Sequence, residues 1–193
     1  MTGRMAVRGR PRAGDPDQIS RTALEHISRD GWSETTMAAI AEMAGISEPT
    51  LFRYFRSKAD VLWHGMDESA RVFRDLFARR TAGAPLAPSI ADAYTAMLLG
   101  DPDRLSLIKV RAAIIAGDTG AAEASWRKFE EWRSLVTEMV RSDDAAADPL
   151  DIRIRGAMIW SALWSALTAW ALTDDTTPSA QLAAARLRLT SLG

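Results

Sequence analysis

Residues 32–62 read WSETTMAAIAEMAGISEPTLFRYFRSKADVL, and this stretch decides the fold of the N-terminal part of the chain. Two short apolar segments, residues 37–44 and 48–55, meet near Gly45, which can take a positive φ because it has no Cβ. Ser47 provides an N-cap hydroxyl in front of the second segment. The pattern predicts two short helices that cross at a tight turn.

The side chains of these two segments suit a close crossing. Four alanines between residues 38 and 44 keep the first helix thin where the second crosses it, and Ile40, Ile46 and Leu51 supply apolar contacts. The polar start of the second helix is left exposed, so it can enter a major groove N-terminus first. These features are the outline of a helix-turn-helix.

The stretch resembles the DNA-binding signature of the TetR family of transcriptional regulators, with a match from residue 19 to residue 62. The resemblance implies an N-terminal three-helix DNA-binding unit followed by a helical unit for ligand binding and dimerisation. It also implies a repressor that binds a palindromic, double-stranded operator as a homodimer and is released by a small molecule. The residues in register are Thr36, Ile40-Ala41, Ala44-Gly45-Ile46-Ser47, Thr50-Leu51, Tyr54-Phe55, Ser57-Lys58 and Leu62.

The resemblance also implies a set of DNA-binding residues around the second short helix. Position 52 is often tyrosine in relatives, and Phe52 would instead pack against sugar or a thymine methyl group. Glu48 either accepts a hydrogen bond from a cytosine amine or stabilises the start of the helix through its dipole. The set comprises Thr36, Tyr54 and Lys58 on phosphates, and Ser47, Glu48, Pro49, Thr50 and Phe52 in the groove.

Charge is distributed unevenly between the first residues and the helix-turn-helix. Residues 1–14 hold four arginines and no acid, whereas residues 15–60 hold five basic and eight acidic side chains, a net charge of -3. DNA affinity must therefore lean on the basic residues 1–14 and on Arg53, Arg56 and Lys58. Arg10 and Arg12 resemble an arm laid along a minor groove, and a solvated segment without function is the alternative.

Helical periodicity continues through the rest of the chain, and no segment shows sustained strand alternation. We expect an all-α protein of about nine helices, with a basic flexible arm at 1–14, a DNA-binding domain at 15–60 and a ligand-binding and dimerisation domain at 61–193. The predicted helices cover residues 16–30, 37–44, 48–55, 57–82, 89–99, 104–116, 121–142, 149–173 and 178–191.

Large aromatic side chains are concentrated after residue 120, where five tryptophans occur in an alanine-rich sequence. A bundle lined by such side chains is a favourable place for a cavity, although a solid core is the alternative. The predicted long helix from Ser57 would carry a displacement from this bundle back to the DNA. The candidate ligand-binding residues are Phe73, Phe77, Met97, Trp126, Phe129, Trp160 and Trp164.

The last two predicted helices are apolar on more than one face, so they need both an intrachain core and a partner. In TetR-like proteins such helices form a four-helix bundle across a two-fold axis, with Leu182, Ala185, Leu189 and Leu192 as a matching stripe here. The run SWRKFEEWRSLVTEM at 125–139 resembles the subgroup with acyl-CoA-like ligand-binding domains, which includes mycofactocin-system regulators. That resemblance implies an apolar or amphipathic effector, with acyl-CoA as the specific expectation and a planar aromatic as the alternative.

Composition weighs against other classes of protein. The 193 residues include no cysteine, which favours a reducing cytoplasm, and only two histidines, His26 and His64, which stand 38 positions apart. No metal site or cofactor is expected, and an enzyme is disfavoured.

The serine acyl-transfer spacing Ser125-x-x-Lys128 lacks its partner motifs, and a helical interaction module without DNA binding is the other alternative. The uncharged run 156–173 is better explained as a buried helix than as a membrane span.

Overall fold

The structure is a computed structural model that describes residues 14–190, so Arg10, Arg12 and Leu192 lie outside the described residues. Between residues 14 and 190 the secondary structure comprises eleven helices and no strand, which confirms the all-α fold class. The helices are α1 (Pro16–Asp30), α2 (Met37–Met43), α3 (Glu48–Tyr54), α4 (Lys58–Leu62), α5 (Met66–Ala78), α6 (Leu86–Leu99), α7 (Pro102–Gly117), α8 (Thr119–Ala124), α9 (Trp126–Asp143), α10 (Pro149–Ala171) and α11 (Ser179–Thr190).

Two helices predicted as continuous are each divided in the structure, which accounts for eleven helices instead of nine. The predicted long helix from Ser57 is broken after Leu62, where Gly65 adopts a left-handed conformation with φ 79° and begins α5. The predicted helix at 121–142 is broken at Ser125, which ends α8 and precedes α9. The first break matters for function because the helix that follows Ser57 does not run unbroken from the N-terminal helices into the C-terminal bundle.

Short polar side chains set where most helices begin. Seven helices have an N-cap side chain that accepts a hydrogen bond from a backbone N–H in the first turn. Each cap satisfies a donor that the helix itself cannot pair, and it typically stabilises the helix by about 1 kcal/mol. The caps are Asp15, Thr36, Ser47, Ser57, Asp101, Asp118 and Asp148.

Helix α1 joins two separate hydrophobic cores. Ile19 and Ala23 pack in a small core with side chains from α2, α3 and α4, whereas Leu24 and Ile27 belong to the large core of the C-terminal bundle. Helix α1 also packs against α7. The predicted DNA-binding unit, helices α1 to α4, therefore has its own core and packs against the bundle through α1.

Helix α10 is the centre of the C-terminal bundle, where it packs against α6, α7, α9 and α11. It lies close to α9 at Gly156, where an added Cβ would lie only 2.4 Å from the Thr137 hydroxyl. Trp170, near its end, is fully buried. Among residues 14–190, no helix is long and apolar enough to cross a membrane.

Candidate nucleic-acid interface and aromatic cavity

The predicted helix-turn-helix is present as α2, a turn and α3. Gly45 has a φ of 65°, and the turn is closed by a hydrogen bond of 3.0 Å from the Ile46 N–H to the Ala41 carbonyl. Leu51 is completely buried and fixes the inner side of α3. This arrangement leaves the N-terminal turn and the outer side of α3 in solvent.

The caps of α2 and α3 hold two of the predicted phosphate and groove contacts. The Thr36 hydroxyl oxygen accepts from the Ala39 N–H at 3.1 Å, so its own hydrogen remains available to an outside acceptor. The Ser47 and Thr50 hydroxyls lie 2.9 Å apart at the start of α3. The structure therefore places these three hydroxyl groups at the N-terminal ends of α2 and α3.

The outer side of α3 carries an exposed set of side chains. Phe52 is 47% exposed and Tyr54 is 41% exposed, and Glu48 and Pro49 are also exposed. The Arg53 guanidinium lies over the Tyr54 ring, 5.2 Å from its centroid. Two large aromatic side chains in solvent on one seven-residue helix mark a contact surface rather than a core-facing helix.

Lys58 is not placed for the phosphate contact that the resemblance implied. Its Nζ donates to the backbone carbonyls of Trp32 and Thr35, the latter at 2.7 Å, and it lies 4.2 Å from the centroid of the Trp32 ring. Burial lowers the pKa of this lysine, and the nearby Asp118 carboxylate acts in the opposite direction. Lys58 therefore holds the loop between α1 and α2, immediately before the Thr36 cap.

The first described residue lies beside the recognition surface. A Cβ built on Gly14 would lie 3.6 Å from the Tyr54 hydroxyl. The predicted contacts of Arg10 and Arg12 fall outside the described residues, but the chain that carries them joins the structure next to α3.

The segment between α4 and α5 is held from three sides. The Ser20 hydroxyl of α1 donates to the Val61 carbonyl at 2.8 Å, and the Trp63 indole donates to the Ser125 hydroxyl at 2.8 Å. From α7, Arg111 donates through Nε to the Leu62 carbonyl and through Nη2 to the His64 carbonyl at 3.0 Å. These contacts connect the end of the DNA-binding unit directly to the bundle.

Arg111 is itself buried, with 5% of its surface exposed. Burial lowers the pKa of its guanidinium to about 10. Within the described part of the chain, no carboxylate lies within ion-pair distance of it. The charge is compensated only by backbone carbonyls and by the Met66 sulfur, 3.1 Å from Nη1.

Aromatic rings from four helices and the α4–α5 segment meet in the bundle. Trp132 stacks on Trp160 at 5.7 Å between centroids, and Phe129 meets Trp164 edge-on at 4.6 Å. A small cavity of about 20 Å³ remains among them, with room for about one water-sized group. The rings of this aromatic cluster are Trp63, Phe73, Tyr94, Phe129, Trp132, Trp160 and Trp164.

The aromatic cluster therefore contains four of the predicted ligand-binding residues, namely Phe73, Phe129, Trp160 and Trp164. Two others, Phe77 and Met97, are buried in the same core. Trp126 does not belong there: it is 66% exposed. The reason is the break at Ser125, because α9 begins at Trp126 and turns that side chain outward.

The prediction omitted Trp63, Tyr94 and Trp132 from the cluster. Trp132 lies on the apolar stripe of its helix, which was a usable signal, whereas only tertiary packing brings Trp63 and Tyr94 to it. Burial raises the pKa of the Tyr94 phenol, so this side chain stays neutral. Among the described residues, no group of three potential ligands is placed to hold a metal ion.

Comparison with known proteins agrees with this geometry. Residues 19–63 match the family model described as "Bacterial regulatory proteins, tetR family". The chain is 24% identical over 165 residues to the fatty acid metabolism regulator protein of Bacillus subtilis, covering 82% of this chain and 84% of that protein. It is 25% identical over 179 residues to the "Putative mycofactocin biosynthesis transcriptional regulator MftR" of Mycobacterium tuberculosis, covering 92% of this chain and 90% of that one.

Two solved structures share the fold. One is the transcriptional regulator FadR of Bacillus subtilis in complex with stearoyl-CoA, with a TM-score of 0.64, 18% identity and coverage of 92% and 98%. The other is a cysteine mutant of the TetR family regulator CifR with 26-base-pair operator DNA, with a TM-score of 0.60, 23% identity and coverage of 95% and 99%. The helix-turn-helix unit at residues 19–63 is therefore that of the tetR family of bacterial regulatory proteins, and similarity to transcriptional regulators extends over nearly the whole chain.

Proposed function

We propose that the protein is a transcriptional repressor that binds a palindromic operator as a homodimer and is released by an apolar or amphipathic small molecule. The observation that carries the proposal is the exposed outer side of α3, with Phe52 and Tyr54 in solvent on a helix whose inner side is fixed by Leu51. As a bacterial regulator of this kind, it acts in the cytoplasm, where the chromosome is.

On this proposal, the N-terminal turn of α3 enters the major groove. Phe52 packs against sugar or a thymine methyl group, and Arg10 and Arg12, which lie outside the described residues, bind in the neighbouring minor groove. The contacting residues in the described part are Thr36, Ser47, Glu48, Pro49, Thr50, Phe52 and Tyr54.

The surface of α10 supports a homodimer. Leu150, Ile154 and Met158 are 62%, 48% and 40% exposed and lie four residues apart, so they form one apolar row. Farther along the same helix the exposed positions are small, namely Ser161, Ser165 and Ala169, which lets a second helix approach closely. Helix α11 adds Leu187, which is 71% exposed. A second copy of the same surface would cover this row across a two-fold axis.

The aromatic cluster is the proposed effector site. Its cavity of about 20 Å³ is far smaller than a drug-sized ligand needs, so an effector must push the rings apart. This cavity is lined by Trp63, Met66 and Arg111, among others. Arg111 also holds the segment between α4 and α5, through its hydrogen bonds to the Leu62 and His64 carbonyls. Opening the cavity therefore moves α4 through these contacts, not through a long helix. Acyl-CoA is the first class to test, because the similar FadR structure contains stearoyl-CoA, and planar aromatics are the second.

The contacts of Ser125 support a regulator over a serine acyl-transfer enzyme. Its side chain is fully buried, and its hydroxyl donates to the Ala121 carbonyl at 2.7 Å while it accepts from the Trp63 indole. Lys128 forms an ion pair with Glu131 at 2.8 Å. Neither group of the acyl-transfer spacing is positioned as a nucleophile or its base.

The test is selection of bound sequences from a random pool of duplex DNA, followed by affinity measurements on the best sequence. We expect a palindrome, and we expect Thr50→Ala to lower affinity for it by about tenfold. Thr119→Ala, an exposed threonine at the start of α8, is the matched control and should bind like the wild type. If no duplex binds above the non-specific level, the chain is an interaction module and the proposal fails.

A further inference from the structure

Arg111 and Met66 separate two spaces in the bundle. On one side is the small aromatic cavity, lined also by Trp160 and Trp164. On the other is a cleft of about 450 Å³ that opens to solvent between α1, α5 and α7. The same two side chains line both spaces, so a molecule with an apolar part in the cavity and a polar part in the cleft would have to pass them.

The hydrogen bonds of Arg111 leave its charge incompletely compensated. Two of its N–H groups meet backbone carbonyls, and a third meets the Met66 sulfur, which is a weak acceptor. An arginine side chain carries more N–H donors than these contacts use. A buried cation without a carboxylate partner is costly to keep, so a hydrophobic residue at this position would favour folding unless the charge has a further use.

Because Arg111 lines both spaces, the further use that we infer for its charge is to bind a ligand that reaches both of them. Because the guanidinium can present two parallel N–H groups to a carboxylate, it is a suitable partner for one oxygen-bearing end of a molecule. The neighbouring rings are suitable for a hydrocarbon.

Resting on the proposed function, we propose that Arg111 binds the acyl carbonyl oxygen of the effector, in a carboxylate or a thioester, with the hydrocarbon chain among the indole rings. The effector oxygen replaces the Leu62 and His64 carbonyls as the acceptor on Arg111. The last turn of α4 then loses its contact with α7, and the DNA-binding unit is freed from its fixed position on the bundle.

Surface charge favours the free carboxylate over the CoA thioester. The rim of the cleft carries Asp17, Glu68, Asp101 and Asp103 against only Arg21 and Arg104. The groove on the other side of the cluster, between α5 and α9, is different, because its carboxylates Asp67, Glu130, Glu131 and Glu138 are paired with Lys128, Arg133 and Arg141. At the cleft, the phosphates of CoA would face the carboxylates of its rim, whereas a lone carboxylate is held entirely by Arg111.

The experiment uses isothermal titration calorimetry on the full chain with dodecanoate, lauroyl-CoA and dodecanol. These probes share a hydrocarbon and differ in the oxygen-bearing end. We expect the wild type to bind dodecanoate at least about tenfold more tightly than dodecanol, with lauroyl-CoA between them. Arg111→Met should bring the ratio of dodecanoate to dodecanol affinity close to one, because it keeps the packing volume and removes the charge.

Lys109→Met is the matched control, since this lysine lies on the same helix and lines neither of the two spaces, and it should keep the wild-type ratio. Thermal unfolding shows whether Arg111→Met folds. If this variant does not fold, the ratio of dodecanoate to dodecanol affinity in the wild type is the remaining test of the acid preference.

Equal binding of the three probes by the wild type, or an acid preference that survives Arg111→Met, overturns the role of Arg111 and leaves the effector cavity standing. If none of the three binds, while operator binding is intact, the cavity is not a site for straight-chain amphiphiles and both proposals about the effector fall.

Discussion

Substitution of Lys58 by methionine tests whether this side chain stabilises the DNA-binding unit through internal hydrogen bonds instead of contacting DNA. In the structure, the ammonium donates to the Trp32 and Thr35 carbonyls and does not point outward. Methionine keeps the length of the side chain and removes both hydrogen bonds. Because hydrogen bonds to a charged group contribute about 1.5–3 kcal/mol when buried, and Lys58 is partly exposed, we expect a loss of about 1–2 kcal/mol. For a chain of this size that is a fall in Tm of roughly 2–8 °C.

The assay that separates the two roles is the salt dependence of operator affinity. A phosphate contact contributes a slope of about 0.9 in log K against log salt, which is roughly three- to fourfold in affinity between about 50 and 200 mM. Lys58→Met should weaken binding and leave this slope unchanged. Arg53→Met is the control, because Arg53 is exposed on α3 and its removal should reduce the slope by about 0.9.

The reasoning is refuted if Lys58→Met reduces the slope by about 0.9 and leaves the Tm unchanged. Lys58 would then leave the carbonyls for a phosphate when DNA binds, as the family resemblance implies.

Three further tests use substitutions in and around the bundle. Trp160→Ala should cost about 3–5 kcal/mol of unfolding free energy in urea, whereas the exposed Trp126→Ala should change it by no more than about 0.5 kcal/mol. Met158→Arg should convert the dimer to a monomer in sedimentation experiments, because it places a charge in the exposed row of α10. Gly65→Ala should cost about 1–2 kcal/mol of stability, because Gly65 has a φ of 79°, whereas Gly117→Ala should cost nothing since its φ is not positive and its surroundings are open.

These tests have defined contrary results. Leu99→Arg, at a residue 40% exposed on α6, is the control for Met158→Arg, and a monomer from both variants would mean general destabilisation. A loss of stability in Trp126→Ala equal to that in Trp160→Ala would place Trp126 in the core. If Gly65→Ala is as stable as the wild type, the break between α4 and α5 is not held in a left-handed conformation.

The helix-turn-helix was predictable because its signals are local. The caps at Thr36 and Ser47 and the turn at Gly45 all act within a few residues, and the structure has each of them. The inward placement of Lys58 was not predictable in the same way, since its acceptors are Trp32 and Thr35, which lie in a loop more than 20 residues earlier.

The break between α4 and α5 shows where periodicity is insufficient. Leu62, Met66 and Phe73 follow a helical spacing, and a single glycine is tolerated within a helix, so the pattern predicts one continuous helix. What stabilises the break is Arg111, 49 residues after Leu62, which binds carbonyls that a continuous helix would have used. The outward turn of Trp126 has a similar origin, in the distant contact between Ser125 and Trp63.

If the aromatic cavity is the effector site, as proposed, its nearly filled state also sets the concentration at which the regulator responds. If only a small fraction of molecules has the rings apart, the apparent dissociation constant of the effector rises in inverse proportion to that fraction. The stacking of Trp132 on Trp160 at 5.7 Å thus acts as a threshold on the dose, separate from the contacts that recognise the effector. Substitutions that loosen this stacking would lower the effector concentration that the cell needs for a response, without changing the contacts that recognise the effector. Selection could therefore adjust sensitivity and specificity at different residues.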